Sequence, residues 1–140
     1  MKVRQLMTAP AITISPEETV AVASRTLTHY NIGMLPVCAA DGRLLGVLTD
    51  RDIVTRCLAG NKDPQKTSVR EIMTSQVRSA EPGMDAGVAA HLMGSQQVRR
   101  LPVLEDGKLC GLVSLGDLAT REETVYDAAD ALSDIASNIR

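Results

Sequence analysis

The chain is written twice. Val3-Arg4-Gln5-Leu6-Met7-Thr8 returns as Val69-Arg70-Glu71-Ile72-Met73-Thr74, an offset of 66 positions. Pro16 returns as Pro82, and Leu35-Pro36-Val37 as Leu101-Pro102-Val103, at the same offset of 66. Beyond them the offset falls to 65. Asp41-Gly42 matches Asp106-Gly107, Gly46-Val47-Leu48-Thr49 matches Gly111-Leu112-Val113-Ser114, and Asp52-Ile53 matches Asp117-Leu118. One residue is missing from a turn of the second copy, where indels are tolerated. A collinear series of this kind means that whatever one copy folds into, the other must fold into as well.

Each copy reads as β-α-β-β-α. Val3 to Met7 suits a short helical turn and Ile12 to Ile14 a brief extended piece. Ser15-Pro16-Glu17-Glu18-Thr19 is turn chemistry ending in a helix cap, with Asp85 at the matching cap position. Val20, Ala23, Leu27 and Tyr30 recur at helical spacing, as do Val88, Ala89, Leu92 and Met93. Met34 to Cys38 and Leu44 to Thr49 read as strands around Asp41-Gly42, a hairpin-turn signal. Leu101 to Leu104 and Leu109 to Ser114 repeat that pattern around Asp106-Gly107. A second helix starts near Asp50 and carries Ile53, Val54, Cys57 and Leu58 on one face. The expected organisation is repeat 1 over 1–60, a polar linker over 61–68, repeat 2 over 69–121 and a C-terminal helix over 122–140. In that helix Val125, Ala128, Leu132, Ile135 and Ile139 form an apolar stripe, with Glu122, Glu123, Asp127, Asp130 and Asp134 facing water. The stripe suits either a helix folded back on its own domain or one buried against a second subunit.

Composition narrows the function. A 140-residue chain can bury roughly 68–70% of its unfolded surface, enough for a real core. A formal net charge of -2 leaves no basic excess for a phosphate backbone, so nucleic acid is not the expected main partner. The longest apolar run, Met34 to Ala40, is far short of the ~20 residues that cross a bilayer, so no membrane association is expected. Met1-Lys2-Val3-Arg4 has no apolar stretch behind it and does not read as a secretory signal. Cys38, Cys57 and Cys110 are odd in number and widely spaced, which suits the cytoplasm and free buried thiols. With aromatics at only 1%, any planar ligand must be held by aliphatic side chains and backbone.

The two Met-Thr segments, the two Leu-Pro-Val strands, Gly46-Val47-Leu48-Thr49-Asp50-Arg51-Asp52 and Gly111-Leu112-Val113-Ser114-Leu115-Gly116-Asp117 together resemble the CBS domain, named after cystathionine β-synthase. The match covers about residues 1 to 121. The chain is similar to stand-alone bacterial CBS pairs of the hypoxic response protein group. The resemblance implies an α/β (α+β) fold of two β-α-β-β-α repeats packed with pseudo-two-fold symmetry, here with the C-terminal helix added. It also implies clefts between the repeats that take AMP, ADP, ATP, NADH or S-adenosylmethionine, with no cofactor required. A homodimer and a separate regulated protein partner complete what it implies.

Thr49 and Ser114 each end a strand and open a helix, where free N–H groups and partial positive charge suit a phosphate. One turn on, Asp52 and Asp117 can accept a ribose diol, which is their role in the resemblance. The same Ser/Thr-x-x-acid pattern is also a capping box, in which the acid bonds back to the cap N–H. The two roles can coexist in an empty site. Arg99 and Arg100 precede the second Leu-Pro-Val strand and fit a phosphate, or else ordinary surface pairing, whereas the first copy has Ile32-Gly33-Met34 there. Arg51 follows Thr49, but Gly116 holds that slot after Ser114, so the two copies are expected to bind unequally. Ala11, Ile12 and Val37, or Val77 and Val103, could form an aliphatic slot for a base, or simple core. Arg78 replaces the apolar Ile12 in the second copy, which weakens its base slot. His29 and His91 do not align between copies and read as surface or partly buried residues rather than ligands. No zinc spacing, Gly-rich phosphate loop or catalytic constellation is present in the sequence. The sequence therefore favours a regulatory ligand-binding module. It leaves a ligand-free interaction protein as the alternative and gives little support to a nucleotide-acting enzyme.

Overall fold

The computed structural model describes residues 1–137. It contains a short 3-10 turn (Val3–Gln5), then α1 (Val20–Tyr30), β1 (Met34–Cys38), β2 (Leu44–Thr49) and α2 (Asp50–Asp52), which runs on as a π-helical turn (Ile53–Leu58). The second half holds α3 (Val69–Ile72), α4 (Ala86–Gln96), β3 (Arg100–Glu105), β4 (Lys108–Ser114), α5 (Leu115–Ala119) and α6 (Val125–Ala136). The chain divides into two compact units. One is Ile12–Val77; the other combines Met1–Ala11 with the chain from Arg78 on. We call them the first-hairpin and second-hairpin units.

Each unit is built on an antiparallel hairpin, with Pro36 opposite Val47 and Pro102 opposite Leu112. The lost residue lies in the turn. Glu105 pairs with Lys108 across Asp106 and Gly107, both at positive φ (53° and 77°), a two-residue turn whose twist suits a hairpin. The first hairpin closes one residue wider, with Gly42 alone at positive φ and the Arg43 N–H donating to Asp41 Oδ1. The leading β of each copy is a single parallel bridge, Ile14 to Val37 and Ala80 to Val103. Thr19 and Asp85 cap α1 and α4 as expected, accepting from the N–H of Val22 and of Gly87.

The opening segments are exchanged between copies. Thr74 pairs with Val47 through two backbone bonds of 2.9 Å, although it opens the second copy. Thr8 pairs with Leu112 at 2.8 and 3.0 Å, although it opens the first. A repeated glycine permits both approaches. A Cβ on Gly46 would stand 2.5 Å from the Thr74 carbonyl oxygen, and one on Gly111 2.7 Å from that of Thr8.

The cores are aliphatic. Leu35, Val37, Leu48, Ile72 and Cys57 centre one; Val3, Met93, Leu101, Val103, Val113 and Leu118 centre the other. Burying each such side chain contributes about 1.5–3 kcal/mol. Four sequence expectations need correction. Ile53 and Cys57 are buried, but Val54 and Leu58 are more than half exposed, because only one side of that helix faces the core. Val88 and Tyr30 likewise point outward from helices whose other face fills the core. Only Cys57 is fully buried; the free thiols of Cys38 and Cys110 are partly exposed. In α6 the inward stripe is Ala128, Ala131 and Ile135, and Leu132 is 45% exposed. Ile139 lies outside the described residues. Helix α6 packs on α4 and α5 of its own unit, which is the fold-back arrangement. Small residues let it approach: a Cβ on Gly94 would meet Asp134 Oδ2 at 2.9 Å and the Ala131 Cα at 3.4 Å.

Candidate functional site

The strand-to-helix junction of each copy forms a reciprocal cap. In the first, the Asp52 N–H donates to Thr49 Oγ1 (3.0 Å) and the Thr49 N–H to Asp52 Oδ2 (3.0 Å). In the second, the Asp117 N–H donates to Ser114 Oγ (3.1 Å) and the Ser114 N–H to Asp117 Oδ2 (2.8 Å). The capping reading of Ser/Thr-x-x-Asp is realised in both copies. It leaves the hydroxyl protons of Thr49 and Ser114 available to donate.

The junctions differ in what surrounds the cap. In the first copy every N–H at the helix start is engaged. Asp50 donates to the Gly33 carbonyl (3.1 Å), Arg51 to Asp50 Oδ1 (2.8 Å) and Asp52 to Thr49. The Asp50 carboxylate thereby sits where an anion would go, which disfavours phosphate. In the second copy Leu115 donates to the Arg99 carbonyl (2.9 Å), but Leu115 brings no charge and the Gly116 N–H has no acceptor among the described residues.

The acids differ too. Asp52 is 8% exposed, and its Oδ1 lies 3.7 Å from Arg56 Nε. Arg56 Nη1 also donates to the carbonyls of Ile72 (3.1 Å) and Met73 (3.2 Å) and to Thr74 Oγ1 (3.1 Å). One guanidinium therefore ties the site carboxylate to the exchanged segment. Sequence reasoning missed Arg56, although an arginine four residues after each site aspartate was a readable signal. Its counterpart Arg121 makes no ion pair with Asp117 among the described residues.

Arg99 and Arg100 are exposed, and neither guanidinium has an ion-pair or hydrogen-bond partner among the described residues. Both line a cavity of about 550 Å³ together with Ser114 and Gly116. Arg51 is exposed on the first junction. Val37 and Val103 are wholly buried within their own hairpin cores. Ile12 packs against the core that holds Val37, whereas Ala11 belongs to the second-hairpin unit and Val77 to the first. The aliphatic slots were drawn within each copy, and the unit boundaries run through them. Burial pushes the Cys38 thiol up; burial, then the nearby Glu105 charge, does the same for Cys110. Among the described residues no three His, Cys, Asp or Glu side chains converge on a metal-sized site, and no helix is long and apolar enough to cross a membrane.

The chain is 39% identical over 134 residues to the CBS domain-containing protein YhcV of Bacillus subtilis (strain 168), covering 96% of this chain and 94% of that protein. The crystal structure of Hypoxic Response Protein I with two coordinated zinc ions superposes with a TM-score of 0.79 at 33% identity, covering 85% of this chain and 97% of the other. The CBS domain pair of protein MJ0100, in complex with 5'-methylthioadenosine and S-adenosyl-L-methionine, gives a TM-score of 0.77 at 28% identity, with 85% and 97% covered. The CBS domain matches twice, over residues 3–59 and 69–123, and indicates no catalytic family. Two hairpins with paired hydroxyl–carboxylate junctions and two matched segments lead to one statement: the chain belongs to the CBS domain family and carries a pair of its repeats.

Proposed function

We propose that the chain is a regulatory module, not an enzyme. It binds an adenosine-containing ligand at its hydroxyl–carboxylate junctions and modulates a separate protein partner. The observation that carries this reading is the second junction. Ser114 keeps a free hydroxyl proton, Gly116 an open N–H, and Arg99 and Arg100 are unpaired beside them. Asp117, which no cation neutralises among the described residues, is suited to a ribose diol. The first junction is the weaker one, since Asp50 and the Asp52–Arg56 pair oppose phosphate and diol. The adenosyl complexes of the MJ0100 pair support the ligand class.

A melting-temperature panel with AMP, ADP, ATP, NADH and S-adenosylmethionine tests it. A ligand at 100 times its Kd adds about 2.7 kcal/mol of stability. Asp117→Ala removes most of the response while the fold survives, and Asp52→Ala removes less. A panel without any shift at millimolar ligand, or an Asp117→Ala chain that responds like the parent, ends this reading.

One observation favours a second reading, a CBS pair that binds protein and no nucleotide: both carboxylates are already engaged in caps. Both substitutions then lower stability by about 1 kcal/mol and alter nothing else. In either reading we place the chain in the cytoplasm, where its three thiols stay reduced. We also read it as a homodimer, since Val54 and Leu58 offer an uncovered apolar face; light scattering decides that point.

A further inference from the structure

Helix α6 begins beyond the last family-matched residue, 123, and one of its faces walls the cavity beside Arg99 and Arg100. The helix has two working faces. Asp127, Ala131 and Asp134 lie against the glycine notches of α4, while Val125 and Leu132 line the cavity. Gln97 Nε2 donates to the Asp134 carbonyl at 3.1 Å, and Thr124 Oγ1 to that of Leu118 at 2.6 Å, so α6 is a fixed wall. Leu115 lines the same cavity. Arg99, Arg100 and Ser114 complete the lining, and neither arginine has a carboxylate partner among the described residues. Unpaired adjacent arginines favour a dianion, which they can meet with forked N–H pairs. Aliphatic walls without a single aromatic ring suit a flexible hydrocarbon body. The cleft, open to solvent on one side, has a volume of about 550 Å³, within the range of small-molecule sites.

We propose that this cavity is a binding site for an organic phosphate with an aliphatic body. The phosphate lies at Arg99, Arg100 and Ser114, and the hydrocarbon lies against Leu115, Val125 and Leu132. The site shares its phosphate donors with the adenosyl reading but does not need adenosine, and its apolar wall is supplied by a helix outside the repeat.

Calorimetric titration of the full chain with hexyl phosphate tests the assignment. One hexyl phosphate binds per chain, at least tenfold more tightly than inorganic phosphate, and hexyltrimethylammonium does not bind. The Arg99→Gln, Arg100→Gln double variant and Leu132→Asp each weaken binding at least tenfold; both change exposed side chains, and their melting temperatures stay within a few degrees of the parent. Equal affinity for hexyl and inorganic phosphate, or undiminished binding by either variant, overturns the proposal. Titration with AMP separates the two readings. A chain that binds hexyl phosphate and ignores AMP keeps this site and loses the adenosyl one. A chain that binds AMP and ignores hexyl phosphate does the reverse.

Discussion

The helix after β2 and the helix after β4 start from the same sequence frame and end in different surroundings. The first, from Asp50 to Leu58, leaves Val54 and Leu58 in solvent and holds its site aspartate with Arg56. The second is short, is covered by α6, and leaves Asp117 without a cationic partner among the described residues. The two copies thus share the strand end and its cap while the helix that follows and its neighbours differ. An identical cap in both copies reports on folding. The residues around it differ: Asp50 against Leu115, Arg51 against Gly116, Gly33 against Arg99.

The comparison breaks first where the copies are most alike. Gly46→Val and Gly111→Val each force a side chain into a carbonyl 2.5 or 2.7 Å from the ideal Cβ. Overpacking and strained bridge bonds cost about 3 kcal/mol in either unit, read as denaturant midpoints. Equal losses show that both exchanged segments matter alike; a silent substitution removes the exchange from the account. Next comes a position where the copies differ. Gly94→Val drives α6 from α4 and costs about 2 kcal/mol. Thr28→Val, at the matching exposed position of α1, stays within about 0.5 kcal/mol. A similar loss at both positions would mean that α6 is not what Gly94 serves. Smaller again is Arg56→Ala. Its guanidinium is about half exposed, so screening limits the loss to about 1 kcal/mol, against less than 0.5 for Arg121→Ala. If Arg56 does restrain Asp52, its removal also raises the share of any ligand response that Asp52 carries.

How far the sequence reached follows the range of each interaction. The hairpins, their Asp-Gly turns, the caps at Thr19 and Asp85 and the junction acids are set by residues within a few positions of one another, and all were legible. The exchange of Thr8 and Thr74 was not, because a tandem repeat reads the same whichever copy its opening segment joins. The buried face of the second helix differs from the expectation because Ile53, Val54, Cys57 and Leu58 are equally apolar, and only packing on the core decides which pair is buried. At the site, residue types and spacing gave the hydroxyl and carboxylate. They could not give the engagement of every helix-start N–H in one copy, nor the wall that α6 adds in the other.

The smallest effect separates the copies by pH. Glu71 closes the cap of α3, its carboxylate accepting from the Ser68 N–H at 2.7 Å and from the Ser68 hydroxyl at 3.2 Å. Those bonds, backbone first, hold its carboxyl below the usual range, with a lesser pull from Lys62. The matching residue in the other unit is Gln5, whose Oε1 accepts from the Lys2 N–H at 2.7 Å and does not titrate. A depressed folded pKa means the folded chain binds fewer protons than the unfolded one near pH 4. The contribution of Glu71 is therefore complete above its unfolded value of about 4.5 and fades as pH falls through the lower folded value. Glu71→Gln flattens that part of the acid limb of stability against pH, because it makes the first-hairpin cap like the second. Gln5→Glu does the opposite and adds a matching slope. A pair of acid limbs unchanged by both substitutions would mean that these caps do not distinguish the units.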